Sequence, residues 1–192
     1  MKLLGILFGA LFLAFSSNAF SQMQNLEETN EKGEVIEKKD EDLKTKYYRE
    51  KFEEVFKDYY FDDVWNATIK AIEETGCAIG SKSNAQDEDG FFKGKIVSDF
   101  CVFAMKERKD DIADSLSKYS YDMPFIRAAV WESGRMQYKI VIKEKEGEVE
   151  MLIKGEISGR EGYITSEVHF WKSNGYFEHF LVERIKEILK SK

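Results

Sequence analysis

Residues 136–157 read MQYKIVIKEKEGEVEMLIKGEI, two runs in which apolar and charged side chains alternate on either side of Glu146-Gly147. A period of two places Met136, Tyr138, Ile140 and Ile142 on one face of a strand, and Val149, Met151, Ile153 and Ile157 on one face of the next. This is an antiparallel pair with one dry and one wet face. A four-residue loop, Glu144 to Gly147, sets Ile142 opposite Val149, Ile140 opposite Met151 and Tyr138 opposite Ile153. Working outward, Glu132-Ser133-Gly134 suits a three-residue loop ending on a left-handed glycine, which opposes Val130 to Met136, Ala128 to Tyr138 and Ile126 to Ile140. A loop from Gly159 to Gly162 opposes Ile157 to Ile164, Ile153 to Val168 and Met151 to Phe170. A one-residue slip at any turn would send a whole apolar set into water. The agreement of the three turns therefore predicts a four-stranded antiparallel meander over 124–172. Its wet face carries opposed charges (Lys143 with Glu148, Arg135 with Glu156, Lys154 with Glu167) together with His169.

Upstream, Asp62 is a suitable N-cap for an apolar stripe of Val64, Trp65, Ile69 and Ile72, and Gly76 is a suitable stop, which predicts a helix over 62–75. Glu88-Asp89-Gly90 is a second three-residue loop and joins two more strands. Residues 105–122 carry only Ile112, Leu116 and Tyr119 at helical spacing and read as a surface helix or ordered loop inserted between strands. Phe177, Phe180, Leu181, Ile185, Ile188 and Leu189 form the stripe of a terminal helix over 175–190, capped by Ser173 or Asn174. Gly155 on the inner face leaves room for a large side chain from a helix. Tyr48, Phe52, Val55, Phe56 and Tyr59 are spaced for a helix, and 47–60 equally fits a short edge strand before one. The fold class is α+β in two layers: a six-stranded antiparallel meander sheet with an N-terminal and a long C-terminal helix packed on one face.

The stretches DDVWNATIKAIEETGCAIG, DEDGFFKG and NGYFEHFLVERIKEIL, in this order of elements, resemble the helix-grip domains of the bacterial envelope, in particular the repeats of an outer-membrane assembly lipoprotein. The resemblance spans most of the chain. It implies an accessory or binding role, with no catalytic residues to carry over.

The chain opens MKLLGILFGALFLAFSSNAFSQ. A basic start, an apolar core from Leu3 to Phe15 and small residues near Ala19 are the pattern of a secretory signal peptide over 1–21. Residues 22–46 are rich in Glu and Lys and too poor in apolar side chains to offset the entropy of ordering, and read as a flexible tether. A single domain over 47–192 follows. The expected location is the periplasm or the extracellular space after removal of the leader. No further stretch approaches the roughly 20 apolar residues of a spanning helix, and no cysteine precedes Cys77, so neither a transmembrane segment nor a lipid anchor is expected. The formal net charge of −7, with 29 Lys and Arg against 36 Asp and Glu, lacks the basic footprint of a nucleic-acid binder.

Two histidines, His169 and His179, supply too few ligands for a zinc site, and no cofactor is expected. Ser166 faces inward while His169 faces outward, so no nucleophile–base pair forms. Counting outward from the 88–90 loop places Cys77 directly across from Cys101. In an oxidising compartment that pair is a candidate disulfide, the alternative being two small buried hydrophobes. On the outer sheet face the register gathers Phe125, Val141, Leu152 and Trp171 into an apolar patch, covered by the 105–122 insert or by 47–60, or else open to a partner. The leading reading is a non-enzymatic envelope module that binds another envelope protein. A carrier of a small apolar ligand, lined by Met136, Tyr138, Met151, Phe170, Phe177 and Phe180 between sheet and terminal helix, is the second, and an enzyme of unknown reaction the third. Because 22–45 offer no apolar face, a mature protein trimmed of them should keep its Tm within a few degrees; a larger drop would move the domain boundary.

Overall fold

The computed structural model describes residues 46–108 and 111–191. The expected signal peptide and all of the expected tether except Lys46 lie outside the described residues. Among the described residues, seven strands and three α-helices follow one another as β1 (Phe52–Lys57), α1 (Phe61–Glu74), β2 (Ile79–Gln86), β3 (Phe92–Ser98), β4 (Cys101–Met105), a 3-10 turn (Lys106–Arg108), α2 (Ile112–Tyr119), β5 (Trp131–Lys145), β6 (Glu148–Glu161), β7 (Val168–Lys172) and α3 (Tyr176–Lys190). The class is α+β, with an open antiparallel sheet and a C-terminal helix.

The sheet is organised by the β5–β6 ribbon, whose alternating residues pair from Trp131↔Glu161 to Lys145↔Glu148. Each long strand carries two short partners in line along its outer edge. β5 takes β3 near the Glu146-Gly147 turn and β4 farther along, while β6 takes β1 and then β7. β2 closes one edge by pairing with β3. Because β1 stops at Ile153 and β7 starts at Glu156, residues 154 and 155 of β6 have no strand beside them on this outer edge.

The even positions of β5 and the odd positions of β6 are buried under the helices. Phe61 and Trp65 of α1 lie against Gly94 of β3, where an added Cβ would come within 2.3 Å of the Trp65 ring. α3 buries Phe177, Leu181, Val182, Ile185, Ile188 and Leu189, and it meets α1 through an Arg184 Nε to Glu74 carboxylate bond of 2.6 Å. Each large aliphatic or aromatic side chain so buried contributes roughly 1.5–3 kcal/mol. Of the side chains expected to line a carried ligand, Met136, Tyr138, Met151 and Phe177 are wholly buried here, and Phe170 is exposed.

Several expectations change. Among the described residues there are seven strands rather than six, because residues 52–57 form an edge strand and the strand expected after the 88–90 loop is divided into β3 and β4, while one expected strand is absent. Residues 121–130 form no strand, and the expected meander over 124–172 is three-stranded. Its first predicted turn, Glu132-Ser133-Gly134, lies inside β5. Gly134 is there for packing: a Cβ would meet the Phe103 ring at 2.7 Å. Gly159 likewise lies inside β6, with Trp171, Leu116 and Trp131 within about 3 Å of any added Cβ. The ribbon turns on Glu146-Gly147 alone, with Gly147 at φ 74°, so Ile142 faces Met151 and Ile140 faces Ile153. That shift of two residues changes partners but preserves the face. The shift in β7 is odd: Trp171 pairs with Ile157 and His169 with Gly159. Trp171 and His169 therefore point under the helices, and Val168 and Phe170 point out. On the wet face the ion pairs are Lys139 with Glu156, Lys145 with Glu150 and Arg160 with Glu132.

The Glu88-Asp89-Gly90 loop forms as read. Asp87 N–H donates to the Phe91 carbonyl at 2.8 Å, the Asp87 carboxylate accepts from Asp89 and Phe91 N–H, and Gly90 sits at φ 90°. Its register holds as far as Ser81↔Val97. Cys101 then belongs to β4, and Cys77 to the loop after α1. Their Cα atoms are 5.2 Å apart and their sulfurs lie at bonding distance. Such a link ties the end of α1 to the β5 side of the sheet. Thiol titration of the denatured, unreduced mature protein should find no free thiol; two free thiols would exclude the bond.

Candidate functional site

The densest polar cluster lies where β6 ends. Glu161 is an odd-numbered residue of β6 and so projects inward, fully buried. One carboxylate oxygen accepts the backbone N–H of Val130 at 3.0 Å and of Tyr163 at 2.9 Å. The other accepts the N–H of Thr165 at 2.6 Å, the Thr165 hydroxyl at 3.1 Å and the Ser166 N–H at 3.4 Å. Burial by itself would raise the proton affinity of this carboxyl, but the N–H groups of Val130, Thr165, Ile164 and Tyr163 outweigh it and hold the carboxyl far below the ordinary carboxylate range. One ionised side chain thus fastens two loops, 121–130 and 162–167. Gly162 N–H to Val130 carbonyl and Glu161 N–H to Glu167 carbonyl, both 2.9 Å, complete the junction. Two of the three positive-φ non-glycine residues among those described, Ala128 (φ 60°) and Ser166 (φ 55°), lie in these loops. Each such residue costs on the order of 1–3 kcal/mol and persists only where its surroundings fix it.

The loops present apolar side chains to solvent. Tyr163 is 73% exposed, Phe125 is 93% exposed, and Val130 and Ile164 are about half exposed. Val168 and Phe170 continue this surface along the outer side of β7, and Phe100 lies 6.2 Å from Phe170, ring to ring. Beside Phe170 a recess of about 320 Å³ opens between Asp122, Pro124, Lys154 and Lys172. On the same outer face the hydroxyls of Ser133 and Ser158 and the Nε of Arg135 are buried with no hydrogen-bond partner among the described residues.

The expected patch of Phe125, Val141, Leu152 and Trp171 is not assembled. Phe125 lies on a loop, since 121–130 form no strand. Val141 and Leu152 do face each other on the outer side of the ribbon. Trp171 is buried on the opposite side, donating from Nε1 to the Ser120 hydroxyl and packing edge to face on Trp131. Ile112, Leu116 and Tyr119 of the insert are buried on that helix side as well. Of the titratable residues, Glu167 is exposed, and His179 is stacked on Tyr47 at 4.9 Å. His169 Nε2 lies 2.8 Å from the Thr165 hydroxyl, which makes a chain of carboxylate, hydroxyl and imidazole with Glu161. A carboxylate whose proton affinity is lowered by this many donors is a weak base, and the Thr165 hydroxyl already donates to it. No group of three or more potential metal ligands occurs among the described residues.

A second buried carboxylate, Glu178, stands in the first turn of α3. It accepts the Gly155 N–H at 3.0 Å and the Ser173 hydroxyl at 2.8 Å. Burial raises its proton affinity, against the lowering effect of those two donors. The same burial, with Glu178 nearby, raises that of the Tyr138 phenol, whose hydroxyl donates to the Phe177 carbonyl at 3.3 Å.

No helix among the described residues is long and apolar enough to cross a membrane. No protein-family model, curated protein or solved structure matches the chain.

Glu161→Gln must replace one of two accepting oxygens by an NH2 group that faces N–H donors, so it should lower Tm well below that of wild type. The group's proton affinity is depressed by folding, so its contribution is complete above the ordinary carboxylate pKa and is lost as pH falls below it. The Tm gap between wild type and variant should therefore be full at neutral pH and narrow from about pH 5 to pH 3. A gap independent of pH would contradict the ionised reading.

Proposed function

We propose that the mature chain is an exported, non-enzymatic binding module that engages another envelope protein through the apolar platform of residues 125–130 and 162–168 with Phe170. The observation that carries this reading is the pairing of exposed Tyr163, Ile164 and Val130 with a desolvated carboxylate that immobilises the loops bearing them. Rigid aromatic and aliphatic side chains on pre-ordered backbone lose little entropy on association, and Tyr is enriched among the residues that dominate binding energy. The recess beside Phe170 offers a socket for a partner's side chain. The unpartnered Ser133, Ser158 and Arg135 atoms support a face whose side chains rearrange on contact, since buried polar groups are ordinarily satisfied.

The helix-grip resemblance agrees with this role, with α1 and α3 on one side of the sheet and no helix on the opposite side among the described residues. The burial of Met136, Tyr138, Met151 and Phe177 and the exposure of Phe170 favour the module over a carrier between the sheet and α3. The leader over 1–21 and the Cys77–Cys101 pair fit export to an oxidising compartment.

The test is a Tyr163→Ser/Ile164→Ser double variant used beside wild type as bait in cross-linked envelope preparations. Both side chains are exposed, so Tm should stay within a few degrees while the cross-linked partner is lost. Retention of the same partner at the same yield would overturn the platform as the contact.

A further inference from the structure

The groove at the other end of the sheet has a different chemistry. On the open face, away from the helices, the register aligns two complete rows across five strands. One runs Ser83, Lys95, Val141, Leu152, Glu53 and the other Ala85, Lys93, Lys143, Glu150, Val55. Together they line an open groove of about 780 Å³. Val141 and Leu152 face each other and Val55 lies diagonally beside Leu152, so an apolar strip crosses the floor from β5 to β1. Leu152 and Val55 are both about two-fifths exposed. At the β3–β5 end of this strip stand Lys93, Lys95 and Lys143. None of the three has an ion-pair partner among the described residues, and Lys93 sits directly across from Lys143. Like charges in that position are destabilising. At the far end Glu53 supplies negative charge, while Glu150 is engaged by Lys145.

We propose that this groove binds a single-chain anionic amphiphile of the fatty-acid class, its carboxylate among Lys93, Lys95 and Lys143 and its chain along Val141, Leu152 and Val55. The headgroup relieves the Lys93–Lys143 repulsion, and the chain covers apolar surface that the sheet leaves wet. Glu53 sets the orientation by repelling the headgroup from the β1 end. A free molecule fits better than a bilayer surface, because the chain as a whole carries a formal charge of −7. A flat anionic surface meets that whole field, whereas one headgroup meets only the local lysines.

The site is independent of the platform at the other end of the sheet, and so is its test. Purified mature protein is titrated calorimetrically with dodecanoate below its micelle concentration, and in parallel with dodecyltrimethylammonium, acetate and vesicles of anionic phospholipid. Dodecanoate should saturate at one per chain, weaken with added salt, and bind about tenfold more weakly to a Lys93→Gln/Lys143→Gln variant, the scale of two lost charge contacts. Leu152→Ser should weaken it too, and Tyr163→Ser/Ile164→Ser should not. All substituted side chains are at least partly exposed, and melting curves verify that each variant is folded. The proposal is overturned if dodecanoate does not saturate, if the lysine variant binds as wild type does, if the cationic amphiphile binds equally well, or if the vesicles bind.

Discussion

A break in the edge of β6 is where the two layers are joined. Between β1 and β7 the outer edge of the strand has no neighbour at residues 154 and 155, and the Gly155 N–H would be left buried without an acceptor, a loss of roughly 1–3 kcal/mol. Glu178 provides that acceptor from α3 and reaches it only because residue 155 is glycine: a Cβ there would come within 2.5 Å of the carboxylate oxygen. Its other oxygen takes the Ser173 hydroxyl, which in turn accepts the Gly175 N–H at 3.0 Å. The end of β7, the entry to α3 and the centre of β6 are thereby fixed by one side chain. The position of α3 along the sheet, and with it the packing of Phe177 and Leu181, follows from this contact.

From that joint the long ribbon extends in two directions with different partners, and this gives the sheet two unlike ends. Toward the Glu146-Gly147 turn, β1, β3 and β2 widen the sheet to five strands, and the face away from the helices is left open with lysines and a narrow apolar strip. Toward Glu161, the flanking strands are short and α2 covers the inner side. Chain that cannot enter the sheet is gathered into two loops there. Loops of that kind normally fray. The Glu161 carboxylate prevents it by replacing the missing strand partners with its own oxygens, much as Glu178 does at the break.

The fold is legible in the sequence where a turn is enforced by its own side chains. Asp87-Glu88-Asp89-Gly90 has an aspartate whose carboxylate takes two backbone N–H groups of the loop, and its register can be followed almost to the cysteines. Trp131-Glu132-Ser133-Gly134 has the same glycine but no capping aspartate, and it is continuous strand. Glycine carries two meanings that a pattern does not separate: a left-handed turn, as at Gly90 and Gly147, and a close approach by a large ring, as at Gly134 and Gly159. The second depends on Phe103, Trp131 and Trp171, which are distant in sequence. At Gly155 the pattern does show the second meaning, room for a helix side chain, without showing that Glu178 is the occupant.

The same ambiguity accounts for the candidate site. Alternation tells which residues of β5 and β6 share a face, and an even shift in register leaves that intact, so sequence and structure agree on Val141 and Leu152. The β7 difference is odd and carries His169 and Trp171 across the sheet. Its cause is Glu161: as an ordinary polar residue of a tight hairpin loop it would end the strand early, whereas its position as a buried acceptor lengthens β6 and makes the following loop wide enough to wrap a carboxylate. A buried ionised residue is invisible to any count of apolar positions, because its energetics lie in the backbone donors that converge on it. Among the described residues both buried carboxylates stand where a strand edge or strand end is left unpaired, and they hold the exposed loops and the C-terminal helix in place.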